Sequence, residues 1–341
     1  MCVSSALNLN NLNLSRRSPI VRGAALILFV CASVAGATES RTASKLIQSM
    51  RSATDTLNYN GIFIYQRGTQ VDAMRIIHRF DGREERERLI SLSGPQREVI
   101  RDGERVTYFF SDDREVRIER TEPKDFLSVA LSDSIEYLTK IYTFSVAGED
   151  RVAGRPATAI NILPKERNRY GYQLWIDDEF KLLLKSVILN RRGEALEQVQ
   201  FVELTINGDL PDVLFASGIE GAGFTQYVNS NRGSSVAPVV DASGWVVGWL
   251  PVGFKMRNHR LQTMVESDVS VSHMVYSDGL ATVSVFVEKL EERAHSIQGF
   301  SSMGAVNAFS RVADNHQITV VGEVPTPIVR KIAGSVEHSP H

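Results

Sequence analysis

Cysteine is almost missing from this chain: only Cys2 and Cys31 occur in 341 residues, and both lie in the first 37. A protein without thiols beyond that point has no disulfide, thiolate metal site or Cys nucleophile, so packing alone must hold it. Long apolar runs are also scarce. The one candidate, Ala24 to Val34, is too short to span a bilayer, and no later stretch approaches the ~18 uninterrupted apolar residues a span needs. Charge blocks are absent as well, since acidic and basic residues alternate along the chain, which argues against nucleic acid as a partner.

The chemistry of catalysis is equally thin. Seven histidines, His78, His259, His273, His295, His316, His338 and His341, show no helical metal spacing, and each reads as a surface or satisfied strand histidine. Gly299 to Gly304 does not centre its serines as a nucleophile elbow would, and Gly218 to Gly223 lacks the Lys-Ser or Lys-Thr of a phosphate loop. No catalytic residue, metal or cofactor is expected, and the chain is not read as an enzyme. The basic groups Arg83, Arg86, Arg88, then Lys165, Arg167, Arg169, then Arg191 and Arg192 fall at turns or strand edges and read first as solvated charge, the alternative being that some rim a cavity and meet a phosphorylated or acidic partner.

What is present begins with a secretory signal. Arg16, Arg17 and Arg22 precede the apolar run, and Ala35-Gly36-Ala37 supplies small residues for cleavage after Ala37. Phe29-Val30 before Cys31 is not the small-residue approach of a lipidated cysteine. Export to the periplasm follows as the expectation. Taking the three arginines of residues 1–37 from 38 basic residues against 40 acidic leaves a net charge of minus five.

From Asn58 to Glu119 the chain reads as six short strands: Gly61 to Gln66, Met74 to Phe80, Arg86 to Leu92, Arg97 to Arg101, Val106 to Phe110 and Glu115 to Glu119. Asp81-Gly82 and Asp102-Gly103 between them suit tight hairpins, so the strands should pair as an antiparallel meander. Apolar side chains on both phases mean that the second face needs a cover. Ser44 to Leu57 has helical spacing and could lie over one face, with Thr42 or Ser44 as its cap. One or two short helices are expected within Pro123 to Thr139. Five more strands follow, Tyr142 to Glu149, Ala157 to Leu163, Tyr172 to Asp177, Leu182 to Asn190 and Ala195 to Thr205. So many strands should curl into a barrel or half-barrel with a concave face, for which Phe63, Tyr65, Tyr108, Phe110 and Trp175 are the lining candidates.

Residues 209–243 turn to Gly, Ser, Asn and Pro and read as a linker docked loosely on the first part. A second β unit spans 244–337, with strands at Trp245 to Lys255, Val271 to Tyr276, Leu280 to Lys289, Val306 to Val312 and Gln317 to Gly322. A closing helix is expected over Thr326 to Ala333, with Pro327 in its first turn. The expected class is mainly β (α+β), with a large domain at 38–208 and a small antiparallel sheet domain.

Trp245-x-Val-x-Trp249-x-Pro251-x-Gly253-Phe254, Tyr276-Ser-Asp278-Gly-Leu280 and Ile318-Thr-Val-Val-Gly322-Glu323-Val-Pro325 resemble the RseB/MucB family. Gly94-Pro95-x-Arg97-Glu98-Val99, Tyr172-x-x-Trp175-Ile-Asp177 and Gly193-Glu194-x-Leu196-Glu197-Gln198-x-x-Phe201 extend the resemblance from about Lys45 to Val336. Leu182-Leu183-Leu184 departs from it, a proline being expected after the first leucine. The resemblance implies an unclosed LolA/LolB-like antiparallel barrel wrapped around helices. It also implies a periplasmic regulator that binds the periplasmic domain of a membrane anti-sigma factor (RseA/MucA type) and shields it from site-1 proteolysis. Release by lipopolysaccharide or lipoprotein acyl chains is part of the implication. Trp245, Trp249, Pro251, Phe254, Tyr276 and Asp278 are then the candidates for partner binding. The alternative is a lipid or lipoprotein carrier using the large domain alone, and a homodimer stays open.

Overall fold

Short hairpin turns set the architecture, as the Asp-Gly pairs require: Gly82 and Gly103 sit at φ +91° and +57°, conformations that side chains with a Cβ resist. The computed structural model describes residues 25–120, 134–219, 224–229, 244–263, 270–290 and 296–339. After helix α1 (Ala25–Thr56) come β1 (Tyr59–Arg67), β2 (Gln70–Phe80), β3 (Glu85–Ser91), β4 (Arg97–Asp102), β5 (Arg105–Phe110) and β6 (Glu115–Arg120). Helix α2 (Ile135–Ile141) leads to β7 (Tyr142–Val152), β8 (Arg155–Pro164), β9 (Gly171–Asp177), β10 (Leu183–Leu189) and β11 (Ala195–Ile206). Strand β11 returns to pair with β1, so the order runs β6-β5-β4-β3-β2-β1-β11-β10-β9-β8-β7 and the two ends do not join. The sheet is an open one, not a closed barrel.

Its concave face is filled from α1 and α2. Ala43, Ile47 and Met50 of α1 and Leu138 and Ile141 of α2 pack against Phe144, Ile160, Ile162, Leu174 and Ile176. Burying each large aliphatic side chain contributes about 1.5–3 kcal/mol, so this face anchors the unit. Helix α1 starts earlier than the spacing suggested, at Ala25, so Thr42 and Ser44 lie inside it and cap nothing. Of the one or two short helices expected within Pro123 to Thr139, Ile135–Ile141 is observed, capped by the Ser134 side chain, while residues 121–133 lie outside the described residues.

Residues 209–219 supply the cover that the outer face needed. Leu210 and Phe215 pack on Ile77, Arg79 donates to the Leu210 carbonyl at 2.7 Å, and Gly218 N–H donates to the Glu98 carboxylate. A further strand, β12 (Thr225–Asn229), adds in parallel to β6, giving the sheet twelve strands. Part of the stretch read as linker is thus regular, paired structure.

The second sheet contains β14 (Lys255–Thr263), β15 (Ser270–Ser277), β16 (Thr282–Lys289), β17 (Gly299–Met303), β18 (Val306–Ala313) and β19 (His316–Gly322), in the order β14-β15-β16-β19-β18-β17. Helix α3 (Thr326–Gly334) lays Ile328, Val329, Ile332 and Ala333 on one face of it, with Pro327 in the first turn. The run Trp245 to Lys255 is not one strand. β13 (Trp245–Val247) pairs instead with β20 (Val336–His338), and the chain then loops through Pro251 and Gly253, whose φ of +96° ends any strand. Two compact units divide the chain, Met1–Thr38 and Glu39–His341, and both sheets belong to the second.

Candidate functional site

The two sheets meet along a seam of buried polar groups. The turn before β9 carries Arg169, 1% exposed, and the Ser277-Asp278-Gly279 turn between β15 and β16 carries Asp278, 0% exposed. Asp278 Oδ1 accepts the Leu280 and Ala281 N–H groups, which fixes the turn and aims Oδ2 at the first sheet. There Arg169 Nε donates at 2.5 Å and the Tyr142 hydroxyl at 3.0 Å. Arg169 also donates to the Val252 carbonyl and lies over the rings of Tyr142 and Phe254. Burial first, then neighbouring Tyr172 and Asp278, push the Tyr142 phenol well up, so it stays a donor. A Cβ on Gly253 would meet Ile141 Cγ2 at 3.2 Å and Arg169 at 3.3 Å, which explains glycine there; its carbonyl accepts from Tyr137.

Beside this pair a second clasp forms. Glu197 of β11 accepts from the Tyr65 hydroxyl at 2.7 Å and from Ala305 N–H at 2.8 Å, so one carboxylate ties the concave face to the β17–β18 turn. Asn307 donates to the Tyr170 hydroxyl at 2.8 Å and to the Val324 carbonyl. Burial first, then the like charge of Glu197, raise the Glu323 pKa. The buried Tyr172 phenol is pushed up by burial and next by Glu323 and Asp278. Leu280 enters the apolar cluster of the first sheet, so the second sheet completes the core of the first.

The residues marked from the sequence distribute unequally over this frame. Asp278, Phe254 and Pro251 belong to the seam or its loop, and Trp245 and Tyr276 are buried in the core of the second sheet. Trp249 is half-buried, with Lys331 Nζ 3.7 Å above its ring. Strand register places Phe63 and Tyr65 on the face of Val199, Ser186 and Leu174, the concave one. The same register carried through Ile76, Leu89 and Val99 puts Tyr108, and two residues on Phe110, on that face too. Trp175 points to the opposite face, where it packs with Ala157, Ala159 and Leu184 and donates to Asp150. Phe63 is core, Tyr65 belongs to the seam, and Tyr108 and Phe110 are a half-buried pair stacked at 6.5 Å. Arg169, read above as solvated charge, is among the most buried side chains described. Its turn position gave no signal, because the partner that neutralises it lies 109 residues away.

An open twelve-stranded sheet folded over helices, keyed to a six-stranded sheet by a buried ion pair, defines a two-part scaffold whose halves are built as one body. The sequence pattern of the MucB/RseB N-terminal domain matches residues 42–219 and that of the MucB/RseB C-terminal domain matches residues 239–337; the chain belongs to this family. It is 29% identical over 330 residues to the sigma-E factor regulatory protein RseB of Haemophilus influenzae, covering 94% of this chain and 99% of that one. It is 30% identical over 306 residues to the sigma factor AlgU regulatory protein MucB of Pseudomonas aeruginosa, covering 88% and 92%. A solved MucA/MucB complex of Pseudomonas aeruginosa superposes with a TM-score of 0.70 at 28% identity, over 88% of this chain and all of the matched one. A crystal structure of MucB with MucA(peri) gives 0.68 at 27% identity, again over 88% of this chain and all of that one.

Proposed function

We propose that this protein is a periplasmic negative regulator of an envelope-stress sigma factor, which holds the periplasmic domain of a membrane anti-sigma factor and shields it from proteolysis. The observation that carries the reading is the order and extent of the match: both halves align with regulators of this kind, and two solved structures hold MucB with MucA. The seam supports it further. A lipid carrier would need the first sheet alone, yet here the first sheet buries Arg169 against an aspartate of the second. Losing that partner would leave a buried cation facing only the half-exposed Glu166 carboxylate at 3.8 Å, so the halves act together. Among the described residues no helix is long and apolar enough to cross a membrane, in keeping with a partner that supplies the membrane anchor.

Acyl chains of lipopolysaccharide or lipoprotein are the releasing signal in this proposal. Tyr108 and Phe110 support it, as half-buried aromatics on the concave face that the α1 and α2 cluster does not cover. The test is co-precipitation of the full chain with the periplasmic segment of its anti-sigma factor, followed by titration of acylated and deacylated lipopolysaccharide fragments. Capture that only the acylated fragment reverses supports both parts. Absence of capture refutes the first, and equal release by both fragments refutes the second.

A further inference from the structure

Away from the seam, the concave face holds a buried row of charge. His78 of β2 stands opposite Glu87 of β3, and Glu87 opposite Arg101 of β4, with Glu85 beside them. His78 and Glu87 are 1% exposed and Arg101 3%. One nitrogen of His78 and one oxygen from each glutamate lie within 4.8 Å of one another, a spacing that a divalent cation could use. Counting charge decides against the cation. Two carboxylates, one guanidinium and a dication leave one positive charge buried beside a neutral imidazole, whereas a proton on His78 brings the row to zero. Burying a net charge is the costlier state.

The imidazole bridges two elements. Its Nδ1 is 2.8 Å from the carbonyl of Leu57, the residue just past α1, whose own N–H still bonds Ala53. Its Nε2 is 3.3 Å from Glu85 Oε1, and its ring stacks on Tyr59 at 4.8 Å. An imidazolium carries a proton on both nitrogens, so it donates to the carbonyl and pairs in charge with the carboxylate; a neutral ring has one N–H and must turn a lone pair on one of them. A cation is also favoured at the negative end of a helix dipole.

We propose that His78 is a pH-responsive fastener, which in its doubly protonated form ties the C-terminal end of α1 to the β2–β3 hairpin and on losing the proton lets that end loosen. The groups facing it are the Leu57 carbonyl and Tyr59 from the α1–β1 junction, Glu85 and Glu87 from β3, and Arg101 from β4. Burial is the largest influence and opposes the charge, but the Glu85 carboxylate, the Leu57 carbonyl and the Glu87 charge together raise the pKa above 6.5. The fastening is therefore complete below the ordinary histidine value and lost as pH rises through the raised one. Because α1 fills the concave face through Ile47 and Met50, loosening its end changes access to that face.

The test uses the full chain, with histidine ring resonances followed by NMR from pH 5 to 9 and amide exchange in Met50–Leu57 corrected for the intrinsic base rate. His78 is expected to titrate above 6.5, and corrected exchange at the end of α1 to rise about tenfold over that titration relative to α3. His78→Gln, one neutral donor, should exchange at a pH-independent rate. A ring that titrates at or below 6.5, or a helix end with the same pH course in parent and variant, overturns the proposal. Should His78→Gln fail to fold, the parent titration decides alone. Zinc added to the parent is expected to leave the His78 resonances unmoved, and their displacement would mark a metal site instead.

Discussion

Replacing Asp278 by asparagine isolates the charge of the seam from its geometry. Asparagine keeps an oxygen in the Oδ1 position, so the N–H groups of Leu280 and Ala281 remain bonded and the β15–β16 turn survives. What disappears is the buried carboxylate that neutralises Arg169, which stays under Phe254 and Tyr142 with the Val252 carbonyl and, at 3.8 Å, the half-exposed Glu166 carboxylate left to answer it. Breaking a buried ion pair from one side costs about 3–5 kcal/mol, most of it the unpaired charge. For a cooperative unit of this size about 2 °C is lost per kcal/mol, so Asp278→Asn should melt roughly 6–10 °C below the parent. Adding Arg169→Met removes the stranded charge and should recover much of the loss, a coupling that thermal unfolding of the four variants measures directly. An Asp278→Asn protein that melts with its parent would refute the reasoning, since the pair would then not be what fastens the sheets.

Gly304→Ala should destabilise by about 1–3 kcal/mol: φ is +62°, and the new Cβ would lie 2.3 Å from Glu197 Oε1, forcing that carboxylate off Ala305 and Tyr65. Denaturant midpoints at constant slope would show it. Glu323→Gln should stabilise the protein at pH 8 and leave it unchanged near pH 4. The raised carboxyl contributes most while protonated and loses that contribution as pH rises through its folded value, so only the ionised form gains from the change, and melting curves at both pH values decide. Tyr108→Asp and Phe110→Asp should fold, being half-buried, and should keep the anti-sigma partner while losing release by acylated fragments. Six buried methylenes contribute roughly 5 kcal/mol, close to the ~5.5 kcal/mol that swings a two-state equilibrium from one form to the other. Competition binding reads the difference.

Hairpins with Asp-Gly turns were legible because the turn residue itself demands the conformation, and β1 to β11 emerged near their observed bounds. β12, β17 and β20 were not, since three- to five-residue strands at sheet edges are stabilised by neighbours distant in the chain rather than by their own pattern. The two-faced apolar meander correctly announced a cover for each face. That residues 209–219 would be one of the covers was hidden because the Gly, Ser, Asn and Pro of the longer 209–243 stretch outweigh the short apolar run that holds Leu210 and Phe215. Phe63, Tyr65, Tyr108 and Phe110 share a face because they sit at alternate positions on paired strands, whereas Trp175 is out of phase by one residue with Leu174 and Ile176. Arg169 and His78 illustrate the harder case. Nothing local distinguishes a buried charge from a solvated one, because burial is decided by Asp278 and by Glu85 and Arg101 on other elements.

The central claim is that the two sheets, locked as one body, hold an anti-sigma segment. It is tested most directly by calorimetric titration of the full chain with the periplasmic segment of its anti-sigma factor, alongside Asp278→Asn at a temperature where that variant remains folded. Saturable binding by the parent and markedly weaker binding by the variant is the predicted result. Binding that is absent in the parent, or undiminished when the seam is weakened, would contradict the account.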